Sequence, residues 1–191
     1  MEDPNFDFLR SKFHVSKEAY AILKSLASYK TLKQDEVLVE QGSKSNNIFF
    51  LSSGLMRAYQ VLESGKEITK NLYTSYSFVG PFSSILKNET SLLTHQALTD
   101  SILYEINFLE FIKYSKTNIE ISNIYNRILE YIFIVYEKKY LDHISLNATE
   151  RYQILKKQIP DIESLIPQYQ IASYLNITAV QLSRIKKDLP N

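Results

Sequence analysis

The chain predicts an α+β fold in three parts: an N-terminal β-roll of jelly-roll type, one long helix, and a C-terminal helix-turn-helix. Three observations carry this. Short β-branched and aromatic runs fill residues 29–106, and all four glycines of the chain lie among them. From Thr117 to about Ile144 there is neither Gly nor Pro. From Pro167 to Lys187 the apolar and small residues are spaced as two short crossing helices require.

Each element follows from local chemistry. Ser16 caps a first helix, roughly Lys17 to Ser28, that buries Ala19, Ile22, Leu23 and Leu26. The strand runs are 37–39, 48–51, 55–62, 68–73 and 102–106, with Ser64-Gly65-Lys66 as a hairpin turn. Glycine confined to this region marks tight turns between strands. Several strands at this spacing favour a closed roll over an open sheet.

Thr117-Asn118-Ile119-Glu120 reads as a capping box for the long helix. At 1.5 Å per residue the helix is roughly 40 Å long. One apolar stripe carries Ile121, Ile124, Ile128 and Val135; a second carries Tyr125, Leu129, Ile132, Tyr136 and Tyr140. A helix apolar on more than one side needs more than one partner. The roll covers one side, and a second copy of the helix is expected on the other. The alternative is a helix buried within one chain.

Asn147-Ala148-Thr149-Glu150 caps a further helix to about Gln158, and Ile159-Pro160-Asp161 ends it. Pro167 suits a first helical position. In the helix-turn-helix, Ile171, Ala172, Leu175, Ile177, Leu182 and Ile185 form one shared face. Ala172 is small where the helices pass closest. Asn176 sits at the turn, where a left-handed backbone is tolerated. Thr178 and Gln181 form a second capping box. Outward positions of the last helix are Ala179, Val180, Gln181, Ser183, Arg184 and Lys187. Hydrogen-bonding and basic side chains there suit base edges and phosphates. The plainer alternative is a helical hairpin that only packs.

Composition bounds the function. The chain has 191 residues, 45% hydrophobic and 23% charged, which fits one or two globular domains. Its net charge is +1, so any nucleic-acid contact must come from a local patch. With no cysteine there is no disulfide frame, no cysteine-ligated zinc and no cysteine-bound iron–sulfur cluster. The acidic start Met1-Glu2-Asp3-Pro4 has no apolar signal core, and the longest apolar run, Tyr131 to Tyr136, is too short for a bilayer. A cytoplasmic protein without a membrane partner is expected.

Catalytic patterns are missing: there is no phosphate-cradling Gly-rich loop, no His-Glu-x-x-His and no nucleophile elbow. A β-roll enzyme would need clustered histidines and carboxylates, and only His95 lies in that region. The reading is not an enzyme, with no cofactor and no metal; haem would have to use His14, His95 or His143. The fourteen tyrosines mostly fall at buried-face spacing, as core packing requires.

Several turn motifs carry a resemblance that spans nearly the whole chain. They are Val39-Glu40-Gln41-Gly42, Phe49-Phe50-Leu51-Ser52-Ser53-Gly54, Glu63-Ser64-Gly65-Lys66-Glu67, Phe78-Val79-Gly80-Pro81-Phe82 and Ala97-Leu98-Thr99-Asp100-Ser101. With the long helix and helix-turn-helix they resemble the Crp/Fnr family of bacterial transcription regulators, named after the cyclic AMP receptor protein. The resemblance implies a homodimer, double-stranded promoter DNA as a partner, RNA polymerase as a further candidate partner, and a small-molecule effector of unknown identity in the roll. It divides the chain into 1–116 (helix and roll), 117–145 (dimerisation helix) and 146–191 (DNA-binding domain).

The effector-pocket candidates carried over are Val79, Gly80, Pro81, Phe82, Ser83, Ser84 and Ser91. The family's Gly-Glu pair, whose carboxylate binds ribose, stands here as Gly80-Pro81. Its phosphate-neutralising Arg falls near Ser91. The only basic residues between Gly80 and Asp100 are Lys87 and His95. An unpaired phosphate is costly without a fixed cation, so no response to cyclic AMP is expected. In the last helix Arg184 matches a DNA-contacting position and Thr178 a phosphate-contacting hydroxyl. Ala179 and Val180 replace charged base readers and can meet thymine methyls. The sequence ends at Asn191, so no C-terminal hairpin wing is expected. The rival to a DNA-binding regulator is a ligand-binding or protein-interaction module of the same fold that has lost specific readout.

Overall fold

A computed structural model describes residues 3–189. Met1, Glu2, Pro190 and Asn191 lie outside the described residues, and with them the expectations about the N-terminal start and the missing wing. The elements in order are α1 (Pro4–Phe13), α2 (Lys17–Leu26), β1 (Ala27–Leu32), β2 (Val37–Val39), β3 (Asn47–Ser53), β4 (Met56–Val61), β5 (Glu67–Tyr73) and β6 (Ser77–Val79). Then come α3 (Phe82–Lys87), β7 (Thr94–Ala97), β8 (Ser101–Asn107), α4 (Phe108–Ser115), α5 (Ile119–Ser145), α6 (Ala148–Gln158), α7 (Ile162–Leu165), α8 (Gln168–Tyr174) and α9 (Ala179–Asp188). The α+β class and its three-part order are as the sequence predicts.

The roll is two antiparallel four-stranded sheets, β1-β8-β3-β6 and β2-β7-β4-β5. Their inner faces enclose Leu51, Met56, Ala58, Ala97 and Leu103, which are fully buried, with Phe49 and Val79 beside them. The β4–β5 hairpin closes at Gly65 (φ +78°), whose N–H bonds the Leu62 carbonyl at 2.8 Å. At Gly54 (φ +110°) the sheets come so close that an added Cβ would lie 2.3 Å from Ser101 Oγ and 2.8 Å from the Asp100 carbonyl. Only glycine fits that turn.

A second core lies between the roll and its helices. Phe13 of α1, Val15 of the following link and Ala19 of α2 meet Phe108 and Phe111 of α4 and Ile121 and Ile124 of α5. The sequence reading misses α1, α3, α4 and α7 and the strands β1, β6 and β7. It also places the α5 cap one residue early: Asn118, not Thr117, accepts the Ile121 N–H at 3.1 Å, while Thr117 Oγ1 donates to the Tyr114 carbonyl. Thr117 thus finishes the preceding turn. Pro167 likewise is the cap of α8 rather than its first helical residue. The caps Ser16, Asn147 with Glu150, and Thr178 with Gln181 form as read.

The third core joins the C-terminal helices to the roll. Tyr152, Leu155, Ile162, Ile171, Ala172, Leu175 and Leu182 pack together and onto Leu55 and Leu98 of the roll. β5 is an edge strand, and α8 covers its outer edge. Ser173 Oγ accepts the Thr69 N–H at 2.9 Å and donates to the Glu67 carbonyl at 3.2 Å.

The 27-residue α5 turns toward the roll the stripe of Ile121, Ile124 and Ile128, the one expected to meet a partner through Ile128 and Val135, so that expectation is corrected. Ile121 and Ile124 are fully buried and Ile128 packs with them against the roll. The exposed apolar face instead carries Phe133, Ile134, Tyr140, Leu141 and Ile144, each 52–68% exposed. At 3.6 residues per turn these five fall within about a third of the helix circumference. A helix apolar all round does not reveal from sequence which side the roll takes.

Candidate DNA interface and roll cavity

The helix-turn-helix is built by three local devices. Asn176 adopts the left-handed conformation (φ 55°) in the turn. Thr178 Oγ1 accepts the Gln181 N–H at 3.1 Å, and Gln181 Oε1 accepts the Thr178 N–H at 2.8 Å. Leu182 is fully buried and anchors α9 on Ile171 and Ala172.

The remaining side of α9 faces outward. Thr178, Ala179, Val180, Gln181, Ser183, Arg184 and Lys187 are all exposed, on and beside one helix. Gln181 spends its carbonyl oxygen on the cap, which leaves its amide N–H groups for a base edge. Arg184 forms no ion pair among the described residues and is a free guanidinium. Lys186 is different: it pairs with Glu163, which also bonds the Tyr152 hydroxyl and Lys156. Lys186, then Tyr152, hold the Glu163 carboxyl down at about 2. Lys186 therefore braces α9 against α7, and Lys187 is the free ammonium at that end.

The cassette between β6 and β7 forms one wall of a large cleft between the roll and α5, of about 880 Å³. Val79, Gly80, Pro81, Phe82, Ser83, Ser84 and Ser91 all line it, so the structure brings every pocket candidate together. Their chemistry is spent locally, however. Ser91 Oγ donates to the Leu93 carbonyl at 2.6 Å, and its backbone exchanges bonds with Gly42 and Ser43. Pro81 offers no carboxylate, and Lys87 lies exposed in the last turn of α3.

Buried titratable and basic side chains lie around this cassette: His95, already noted in the sequence, and Lys139 line the cleft, and Arg57 lies outside it. His95, on β7, is 1% exposed, and its Nδ1 has no hydrogen-bond partner. Burial pushes its imidazole down to about 4, aided by the Lys70 ammonium and opposed by the Gly80 backbone. Lys139, on α5, donates to the Lys70 carbonyl at 2.8 Å and to Asn71 Oδ1 at 2.5 Å. Burial, with repulsion from Lys70, brings it down to about 8. Arg57 is also buried, gripped by Gln96 and Glu67 and stacked 3.8 Å over Tyr59. His14 ends α1 and His143 lies exposed on α5, so the three histidines do not converge. Among the described residues no helix is long and apolar enough to cross a membrane.

Comparison with known proteins agrees with this architecture. The cyclic nucleotide-binding domain family model matches residues 29–118. An uncharacterised protein of Haemophilus influenzae is 36% identical over 66 residues, 35% of this chain and 50% of that protein. The anaerobic regulatory protein of Bacillus subtilis is 21% identical over 93 residues, 49% of this chain and 39% of that protein. The chain thus matches half or less of the length of these curated relatives. The structure of FixK2 from Bradyrhizobium japonicum superposes with a TM-score of 0.67 at 15% identity, covering 85% of this chain and 84% of that one. Residues 29–118 match the cyclic nucleotide-binding domain model, and the chain shares the fold of the Crp/Fnr-type regulators.

Proposed function

We propose that this chain is a homodimeric DNA-binding transcription regulator whose roll does not respond to cyclic AMP. The carrying observation is α9: a capped helix, anchored by Leu182, with seven candidate contact residues exposed together. Arg184 is its chief base reader. A guanidinium can form two parallel bonds to guanine O6 and N7, worth about 1–3 kcal/mol of discrimination. Thr178 and Lys187 contact phosphate, and Ala179 and Val180 meet apolar base edges. The exposed face from Phe133 to Ile144 supports pairing through a second copy of α5, although Glu130 and Glu137 interrupt it. Two α9 helices then address half-sites about 34–36 Å apart. Pro81 and the backbone-bonded Ser91 support the exclusion of cyclic AMP.

The experiment is a binding series on specific and scrambled DNA at two salt concentrations. Arg184→Ala loses affinity mainly for the specific site, because its side chain is exposed and the fold does not depend on it. Lys187→Ala weakens both DNAs alike and flattens the salt slope by about one. If neither DNA binds in a salt-dependent way, the chain is an interaction module instead. Calorimetry with cyclic AMP gives no micromolar binding; a dissociation constant that tight overturns the exclusion.

A further inference from the structure

We propose that the end of the roll–α5 cleft nearest α8 binds a small organic anion, through Lys70, Lys139 and Arg151. Three observations converge. Lys70, Lys139 and Arg151 line the cleft, and none has a carboxylate partner among the described residues. The cleft's own carboxylate, Asp142, is taken by Lys138 at 3.2 Å. Positive charge on this wall is therefore in excess.

Each cation also leans on a π face or a carbonyl. The Lys139 ammonium sits 4.5 Å from the Tyr174 ring centre and that of Lys70 5.5 Å from the Tyr136 ring centre. Arg151 donates to the carbonyls of Leu146 at 2.6 Å and Leu175 at 3.1 Å, and its Nε, though buried, has no partner. π faces and carbonyls are what a cation uses when no anion is present. Burial first, and then repulsion from Lys70, lower Lys139, and an anion lying between the two ammonium groups relieves that repulsion.

The third observation is the unpartnered Nδ1 of buried His95, which lines the same cleft beside Tyr73 at 6.4 Å between ring centres. A buried polar atom without a partner costs stability until something satisfies it. Tyr73, Tyr136, Tyr174, Leu72, Ile132 and Leu155 line the cleft as well, so the ligand carries a flat apolar body behind its charged head. The three cations belong to β5, α5 and α6 and His95 to β7, not to the cassette between β6 and β7. The site rests on the cavity of this fold but not on DNA binding, so it is tested without DNA.

The test is calorimetry and thermal melting of the full chain with phenyl phosphate, benzoate, inorganic phosphate and phenol. Phenyl phosphate or benzoate binds saturably and raises the melting temperature, and whichever is tighter identifies the head group. Lys70→Met with Lys139→Met weakens that binding at least about tenfold, as loss of a charge-assisted contact requires. Lys70→Arg with Lys139→Arg retains it, which separates charge from folding. Lys70→Met alone, at an exposed position, serves if the double variant melts early. The proposal fails if neither organic anion binds saturably. It also fails if phenol or inorganic phosphate binds as tightly as the organic anions, or if the methionine variants bind like the parent.

Discussion

The exposed face of α5 permits a direct test of assembly. The perturbation is Phe133→Glu with Leu141→Glu, at side chains 68% and 52% exposed in one chain. Full burial of such a side chain contributes about 1.5–3 kcal/mol, so covering the exposed half contributes roughly 1 kcal/mol. A symmetric dimer holds two copies of each, so the double substitution removes about 4 kcal/mol. It also places four carboxylates where no cation awaits them. A loss of about 4 kcal/mol raises the dissociation constant roughly a thousandfold. Sedimentation equilibrium should therefore show monomers that retain the parent's circular dichroism. Ile128→Glu with Val135→Glu makes the contrast. Ile128 packs inside the chain, so that pair lowers the melting temperature before it alters assembly. A Phe133→Glu, Leu141→Glu chain that remains dimeric would refute the assignment of this face.

Other outcomes follow from local geometry. Gly54→Ala drives a Cβ into Ser101 and the Asp100 backbone at positive φ, and urea unfolding should show a loss of more than about 2 kcal/mol. Glu163 has a folded pKa of about 2 against an ordinary 4.5. Its contribution is fully present above pH 4.5 and lost as pH falls towards 2; acid melting of Glu163→Gln should lack that component. Ser173→Ala strands the N–H of buried Thr69, which costs about 1–3 kcal/mol by chemical denaturation while leaving the α9 surface unaltered.

What the sequence disclosed was the chemistry that acts over a few residues. The Thr178–Gln181 and Asn147–Glu150 boxes, the left-handed Asn176 and the Leu182 anchor are complete within one or two turns of chain. The strands with dense β-branched residues were equally legible. β1 was not, because only Leu32 of Ala27 to Leu32 is buried and the strand follows α2 without a turn residue. α4 had a usable signal in Asn107 and Glu110, since Asn107 Oδ1 accepts the N–H groups of Leu109 and Glu110, but the strand pattern ran directly into it. The cleft cations were beyond reach for a different reason. Lys70 and Lys139 come from distant strands of sequence, and only the packing of α5 across β5 brings them together. Arg57 carried no signal of its own, because nothing local announces that Gln96 and Glu67 enclose it.

The bond pair at Ser173 has a mechanical consequence. One hydroxyl takes the place of a neighbouring strand on the β5 edge, so α8 is bolted to the sheet rather than hung from a linker. α9 shares its core with α8 and must follow. Lys70 is the residue next to Thr69, whose N–H holds that bolt. A ligand that draws Lys70 inward would tilt the edge, and the tilt would reach α9 through the core it shares with α8. In the proposed two-fold pair the same tilt would act on both copies of α9 with opposite sense, so a small movement at one strand edge would become a change in their spacing.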